Sequence, residues 1–167
     1  MFVKSTNPGR SQRGDTMIEV LVTIIIIAVG VLGAAALQVT TLKNLSSSHS
    51  ASVAAILVED LSERMRANPT EALNDAYVHN ANPGGGFTRC DEGACTMAQL
   101  ATYDIGTWWE QVTAVLPSGS WQVTRNAGTN TFVLTVRWDD DRSGSTCTNC
   151  PTQTTNDLQC FQFNVTI

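Results

Sequence analysis

The chain is poor in residues that interrupt a helix. None of its five prolines falls between Pro8 and Pro69, and no glycine falls between Gly33 and Gly84. A turn-rich β architecture is therefore excluded for that stretch. No charged residue occurs from Val20 to Leu42, so this is not the two-faced pattern of a water-exposed helix. Histidine is confined to His49 and His79, and neither completes a Ser–His–Asp or Cys–His grouping. Asp139 to Asp141 lack a second acidic site to work with, so the chain reads as no enzyme and implies no cofactor. Basic residues are outnumbered ten to fifteen, for a net charge of −5. Such a balance repels phosphate backbones, and no nucleic-acid partner is expected.

What is present begins at residue 13. Arg13-Gly14-Asp15-Thr16-Met17-Ile18-Glu19 joins a short basic segment, with Lys4, Arg10 and Arg13 and no acid, to the uncharged run. An ordinary secretory signal places its apolar core before the cleavage site. Here the apolar run follows Gly14, so a cut there keeps it in the mature chain. Removing residues 1–14 leaves seven basic and fifteen acidic side chains, a charge of −8. Glu19 is then a lone carboxylate at the head of a membrane-length segment. An acid within such a segment costs roughly 2.5–3.5 kcal/mol on insertion scales, which calls for a partner or a task.

About 20 apolar residues cross a hydrocarbon core of roughly 30 Å. The spacing predicts one helix over 15–68, of which about 17–42 spans a membrane, with the basic end cytoplasmic. Thr23 has its own helix to bond to. Beyond residue 42, Leu45, Val53, Leu57, Leu61 and Met65 return with Leu42 to one helical face, between Lys43, Glu59, Asp60, Glu63, Arg64 and Arg66. Asn68-Pro69 closes the helix, because a residue before proline avoids the helical region.

Residues 69–167 fit a single small domain. The stretch from Thr96 to Val115 reads as a helix burying a tryptophan, ended by Pro117-Ser118-Gly119-Ser120. Three alternating runs follow: Trp121 to Arg125, Phe132 to Trp138, and Cys160 to Ile167. An antiparallel sheet with one polar face results, and the amphipathic half of the long helix is available to cover the other. The fold class is α+β.

All five cysteines, Cys90, Cys95, Cys147, Cys150 and Cys160, lie in this domain. Disulfides persist in an oxidising compartment such as a periplasm. Two bonds from five cysteines allow about fifteen arrangements. The favoured one closes a small loop with Cys90–Cys95 and ties Cys160 to Cys147 or Cys150. Cys147-x-x-Cys150 also has zinc-ligand spacing, but no second pair and no nearby histidine support it, so no metal site is assigned. Asp139, Asp141 and Ser143, followed by Gly144, match the opening of a calcium loop, whose closing glutamate position is Cys150. A solvated turn is the simpler reading.

Gly14, Thr16, Ile18, Glu19, Val20 and Leu21 resemble the prepilin-peptidase site of type IV pilins, which has Glu as the fifth residue after the cut. Asp15 stands where that family usually has Phe or Met. The cut would also destroy the adhesion tripeptide Arg13-Gly14-Asp15. Within the superfamily the chain is similar to PilV-type minor pilins, on Glu59 to Pro69, Trp109, Leu116-Pro117 and Val136-Arg137-Trp138-Asp139-Asp140. The resemblance implies the type IV pilin fold, with a long helix packed under a sheet-bearing periplasmic head. It implies cleavage after Gly14, a methylation motif at Asp15, and a role for Glu19 in neutralising a neighbouring subunit's amino terminus. It further implies assembly, initiation and modification of type IV pili, in support of twitching motility and adhesion. The implied partners are prepilin peptidase, the inner-membrane assembly platform, the major pilin and other minor pilins. The implied location is the inner membrane, then the fimbrium at the cell surface, near its tip. A minor pseudopilin of a type II secretion system is the alternative.

Overall fold

The computed structural model describes residues 15–80, 86–146 and 158–167. The leader with Gly14, and Cys147 and Cys150, lie outside the described residues. Helix α1 runs from Asp15 to Ala67, a length that the missing prolines and glycines permit. It ends because Asn68 turns to φ −129°, ψ 62° ahead of Pro69. Sequence reasoning includes residue 68 in this helix; instead it caps a short helix α2, Pro69–Leu73, that no periodicity announced. The chain divides into two compact units, Met1–Asn44 and Leu45–Ile167, with α1 contributing to both.

In the second unit, α2 is followed by α3 (Met97–Val115) and strands β1 (Ser120–Arg125), β2 (Thr131–Trp138) and β3 (Gln159–Thr166). The sheet is antiparallel in the order β1-β2-β3. Trp121 faces Val136 and Val123 faces Leu134, while β2 meets β3 with Phe132 opposite Val165. One face therefore carries Trp121, Val123, Phe132, Leu134, Val136 and Val165, all buried. Ala54, Leu57, Val58, Leu61 and Met65 of α1 join the same core, as do Ala101, Ile105, Trp108 and Val112 of α3. This is the α+β arrangement of the type IV pilin fold.

Two expectations change. Leu42 and Leu45 share the spacing of the buried stripe, yet both are exposed, and the buried stripe starts only at Ala54. The apolar alternation of the last strand also overstates its burial: Val165 is enclosed but Phe163 is 37 % exposed. The reason is position, because β3 is the sheet's edge and its outer flank has no neighbouring strand among the described residues.

Candidate functional site

The first candidate site is the apolar half of α1. Asp15 opens the helix. Glu19 is exposed one turn further on. Thr23 donates its hydroxyl to the carbonyls of Glu19 (2.5 Å) and Val20 (3.0 Å), so its polar group is satisfied within the helix. Around it the side chains point outward on every side: Ile24, Ile25, Ile26 and Ile27 are 57, 62, 64 and 63 % exposed. The segment is long and apolar enough to cross a membrane, and none of its most apolar window is buried within the protein. Such a surface is stable only against lipid or other apolar helices. Within either medium, Glu19 is the only charge between Met17 and Leu42.

The second half of α1 is held by contacts that residue spacing did not reveal. Trp108 of α3 is fully buried and donates its indole N–H to the Leu57 carbonyl of α1 at 2.7 Å. Two turns along α1 from Leu57, Arg64 donates to Asp60 (2.9 Å) on its own helix and to Asp104 (3.4 Å) and Thr107 (3.2 Å) on α3. Asp104 also accepts from the buried Tyr77 hydroxyl at 2.8 Å, and Asn68 donates to that same oxygen of Tyr77. Burial raises the Asp104 carboxyl above the usual aspartate range, against the opposing pull of Tyr77 and Arg64. Burial, then the bond to Asp104, likewise drives the Tyr77 phenol upward. For Arg64, burial works to lower the value, but the bond and charge of Asp60 and the charge of Asp104 together raise it. The available sequence signal was Asp104 at i, i+4 from Trp108, an acid on the helix face that packs inward. Only the fold shows which partners meet it.

The cysteines and the acidic turn are structural in what is described. Cys90 and Cys95 form a disulfide with Cα atoms 5.5 Å apart. It closes directly before Thr96, whose hydroxyl accepts from the Gln99 amide (3.2 Å) while Gln99 accepts from the Thr96 amide (2.9 Å). That reciprocal cap fixes the start of α3. Phe87 lies against Gly106 of α3, where any side chain would collide with its ring. Cys160 is also disulfide-bonded, and Cys147 and Cys150, its two expected partners, lie outside the described residues. Asp139 is buried, and its carboxylate accepts from the Ser143 amide (3.1 Å), the Ser143 hydroxyl (3.2 Å) and the Gly144 amide (2.8 Å). Asp141 accepts from Ser143 as well, at 3.1 Å. The Asp139, Asp141 and Ser143 group thus uses its oxygens to close its own turn. Among the described residues, no group of three or more His, Cys, Asp or Glu is placed to hold a metal. The backbone of His79 pairs with Val123 of β1.

A long apolar helix whose second half enters the core of a sheet-bearing domain has the architecture of the type IV pilin fold. Two family models agree with that class. The model of the prokaryotic N-terminal methylation motif matches residues 9–35, and that of the type IV pilin Tt1218 matches residues 36–106. These matches support the type IV prepilin superfamily, from the leader junction through most of α3. No curated protein and no solved structure matches the chain.

Proposed function

We propose that this chain is a minor pilin of the PilV type, acting in type IV pilus assembly and initiation. Residues 1–14 form the leader, residues 15–68 the long helix, and residues 69–167 the periplasmic head. Prepilin peptidase cuts after Gly14 and frees an amino group on Asp15. The subunit waits in the inner membrane with its head in the periplasm, then enters the fibre alongside the major pilin and other minor pilins. Inside the helix bundle, the Glu19 carboxylate meets the amino terminus of a neighbour. In a low dielectric that attraction is large, though desolvation removes much of the net gain. Its use is register, since only one axial offset brings the two charges together. The reading is carried by one observation: an exposed apolar helix whose only charge between Met17 and Leu42 is Glu19.

The test is an in-frame deletion, complemented with the native chain or with Glu19→Ala, with sheared surface pili quantified while retraction is active and while it is blocked. Loss of pili with retraction active, and recovery when it is blocked, is the expected result. Glu19→Ala is expected to be cleaved normally yet missing from sheared pili. Unchanged pili in both backgrounds, with an altered secreted-protein profile, would move the chain to the pseudopilin reading.

A further inference from the structure

Helix α3 carries a notch that a single ring fills. Tyr103 and Gly106 stand three positions apart, on one face of the helix. The Phe87 ring lies over the buried Gly106, where any side chain would collide with it. It also meets the Tyr103 ring edge-on, with centroids 5.7 Å apart.

The segment that joins Phe87 to the capped start of α3 holds to itself more than to the domain. Arg89 pairs with Asp91 (2.6 Å) and Glu92 (3.0 Å), both inside the segment. Tyr103 reaches Asp91 only weakly. Among the described residues, no backbone hydrogen bond joins residues 87–95 to a helix or strand. Thr88, Arg89 and Asp91 to Ala94 are exposed, while Phe87, Cys90 and Cys95 are half-buried. Two devices keep the segment in place: the Phe87 seat and the Cys90–Cys95 bond.

That bond works by shortening a tether. Along the backbone, residues 88–95 all separate Phe87 from the Thr96 cap. Through the disulfide, whose Cα atoms are 5.5 Å apart, residues 91–94 drop out of the path. A shorter tether raises the effective concentration of the ring at its seat without adding a contact. The core side of α3 is held separately, by Ala101, Ile105, Trp108 and Val112 in the shared core.

We propose that residues 87–95 form a thiol-sensitive strap, seated while Cys90–Cys95 is closed and released from Tyr103 and Gly106 when a dithiol reduces it. One thiolate of the dithiol attacks a sulfur of the pair, the Cys90–Cys95 bond breaks, and a mixed disulfide forms. The second thiolate resolves it. The dithiol leaves as a disulfide, having given up two electrons and two protons, and Cys90 and Cys95 become thiols. Release bares an apolar notch on α3 while the core stays folded, a local opening and not a global one.

Trypsin reports on the strap at the Arg89–Cys90 bond, with cleavage after Arg125 of β1 as the internal standard for the sheet. The full chain in detergent micelles is digested oxidised and after dithiothreitol, with alkylation mapping which cysteines are reduced. Reduction is expected to speed cleavage at Arg89 on the order of tenfold, as the loop constraint is lost, and to leave Arg125 unchanged. Because dithiothreitol also reaches the disulfide of Cys160, the decisive variant is Cys90→Ser with Cys95→Ser. It should be cut rapidly at Arg89 without reductant and gain nothing from it. Phe87→Ala, with its disulfide intact, should be cut rapidly as well. Both variants are expected to keep the native circular dichroism spectrum and a cooperative unfolding transition. Slow cleavage at Arg89 in the double serine variant would overturn the proposal, and so would a Phe87→Ala chain as resistant as the oxidised parent. Rapid cleavage at Arg89 and Arg125 alike would overturn it too, since the bond would then hold the whole head.

Discussion

The two halves of α1 share one uninterrupted backbone and differ in everything their side chains do. Near its start, Ile24 to Ile27 are four consecutive residues, pointing in four directions, and all are exposed by more than half. Near its end, the adjacent Ile56 and Leu57 are 65 % and 9 % exposed. Helix continuity follows from composition, because α1 contains no proline and, after Gly33, no glycine. The use of each half follows from which faces the protein leaves uncovered. The second half carries its apolar partner with it, in α3 and the sheet. Among the described residues the first half has none, and such a surface calls for lipid or other apolar helices.

Equivalent truncations should therefore have unequal effects. Leu61 is fully buried beneath the sheet domain, and Leu61→Ala is expected to destabilise the head by about 3–5 kcal/mol through lost transfer energy and a cavity. Ile26→Ala removes a similar volume from the exposed half and should leave head unfolding unchanged. Thermal or denaturant unfolding in micelles, followed by tryptophan fluorescence, measures both. Equal effects would mean that the two halves do not divide their roles in this way.

A charge reverses the sensitivity. Ile26→Asp lies seven residues beyond Glu19, inside the apolar run, and is expected to cost up to roughly 2.5–3.5 kcal/mol on insertion. Carbonate extraction should find more of this variant outside the membrane. An aspartate at Glu59, already an exposed acidic position on the second half, should change neither insertion nor unfolding. A smaller effect is expected of Trp108→Phe, which removes the indole bond to the Leu57 carbonyl and leaves a modest void. The expected loss is about 1–2 kcal/mol in the same unfolding measurement.

The parts of this molecule governed by period or punctuation were legible in the sequence. The length of α1, its end before Pro69, the tryptophan-burying α3 and the three strands all follow from spacing or from turn residues. Burial at edges was less legible, because alternation in β3 records which face a residue takes, not whether anything covers it. Phe163, Leu42 and Leu45 are the instances. Polar ties across the core were illegible for another reason. Arg64 and Asp104 stand forty positions apart, and their meeting depends on how α3 crosses α1. Periodicity along one element carries no information about that crossing. Gly106 carried a visible signal, a lone glycine inside a helical pattern, but the ring of Phe87 that requires it comes from a separate loop.

The finest distinction between the halves is electrostatic. The first half holds Glu19 as its only charge between Met17 and Leu42, whereas the second shares a network in which Arg64, Asp60, Asp104, Tyr77 and Asn68 meet across three segments. Burial raises Asp104 in the folded protein, so between the ordinary aspartate range, near about 4, and its raised value the folded state holds more proton than the unfolded one. The contribution of this group is fully present below the ordinary range and is lost as pH rises through the folded value. Asp104→Asn keeps an oxygen for the Tyr77 hydroxyl but removes the titration. The stability of the native chain relative to this variant is therefore expected to decline as pH rises through that window, in unfolding curves collected at matched ionic strength. A relative stability that climbs with pH would mean that the ion pair with Arg64 outweighs burial, placing Asp104 below its ordinary value. The α1–α3 junction would then be a salt bridge in its energetics.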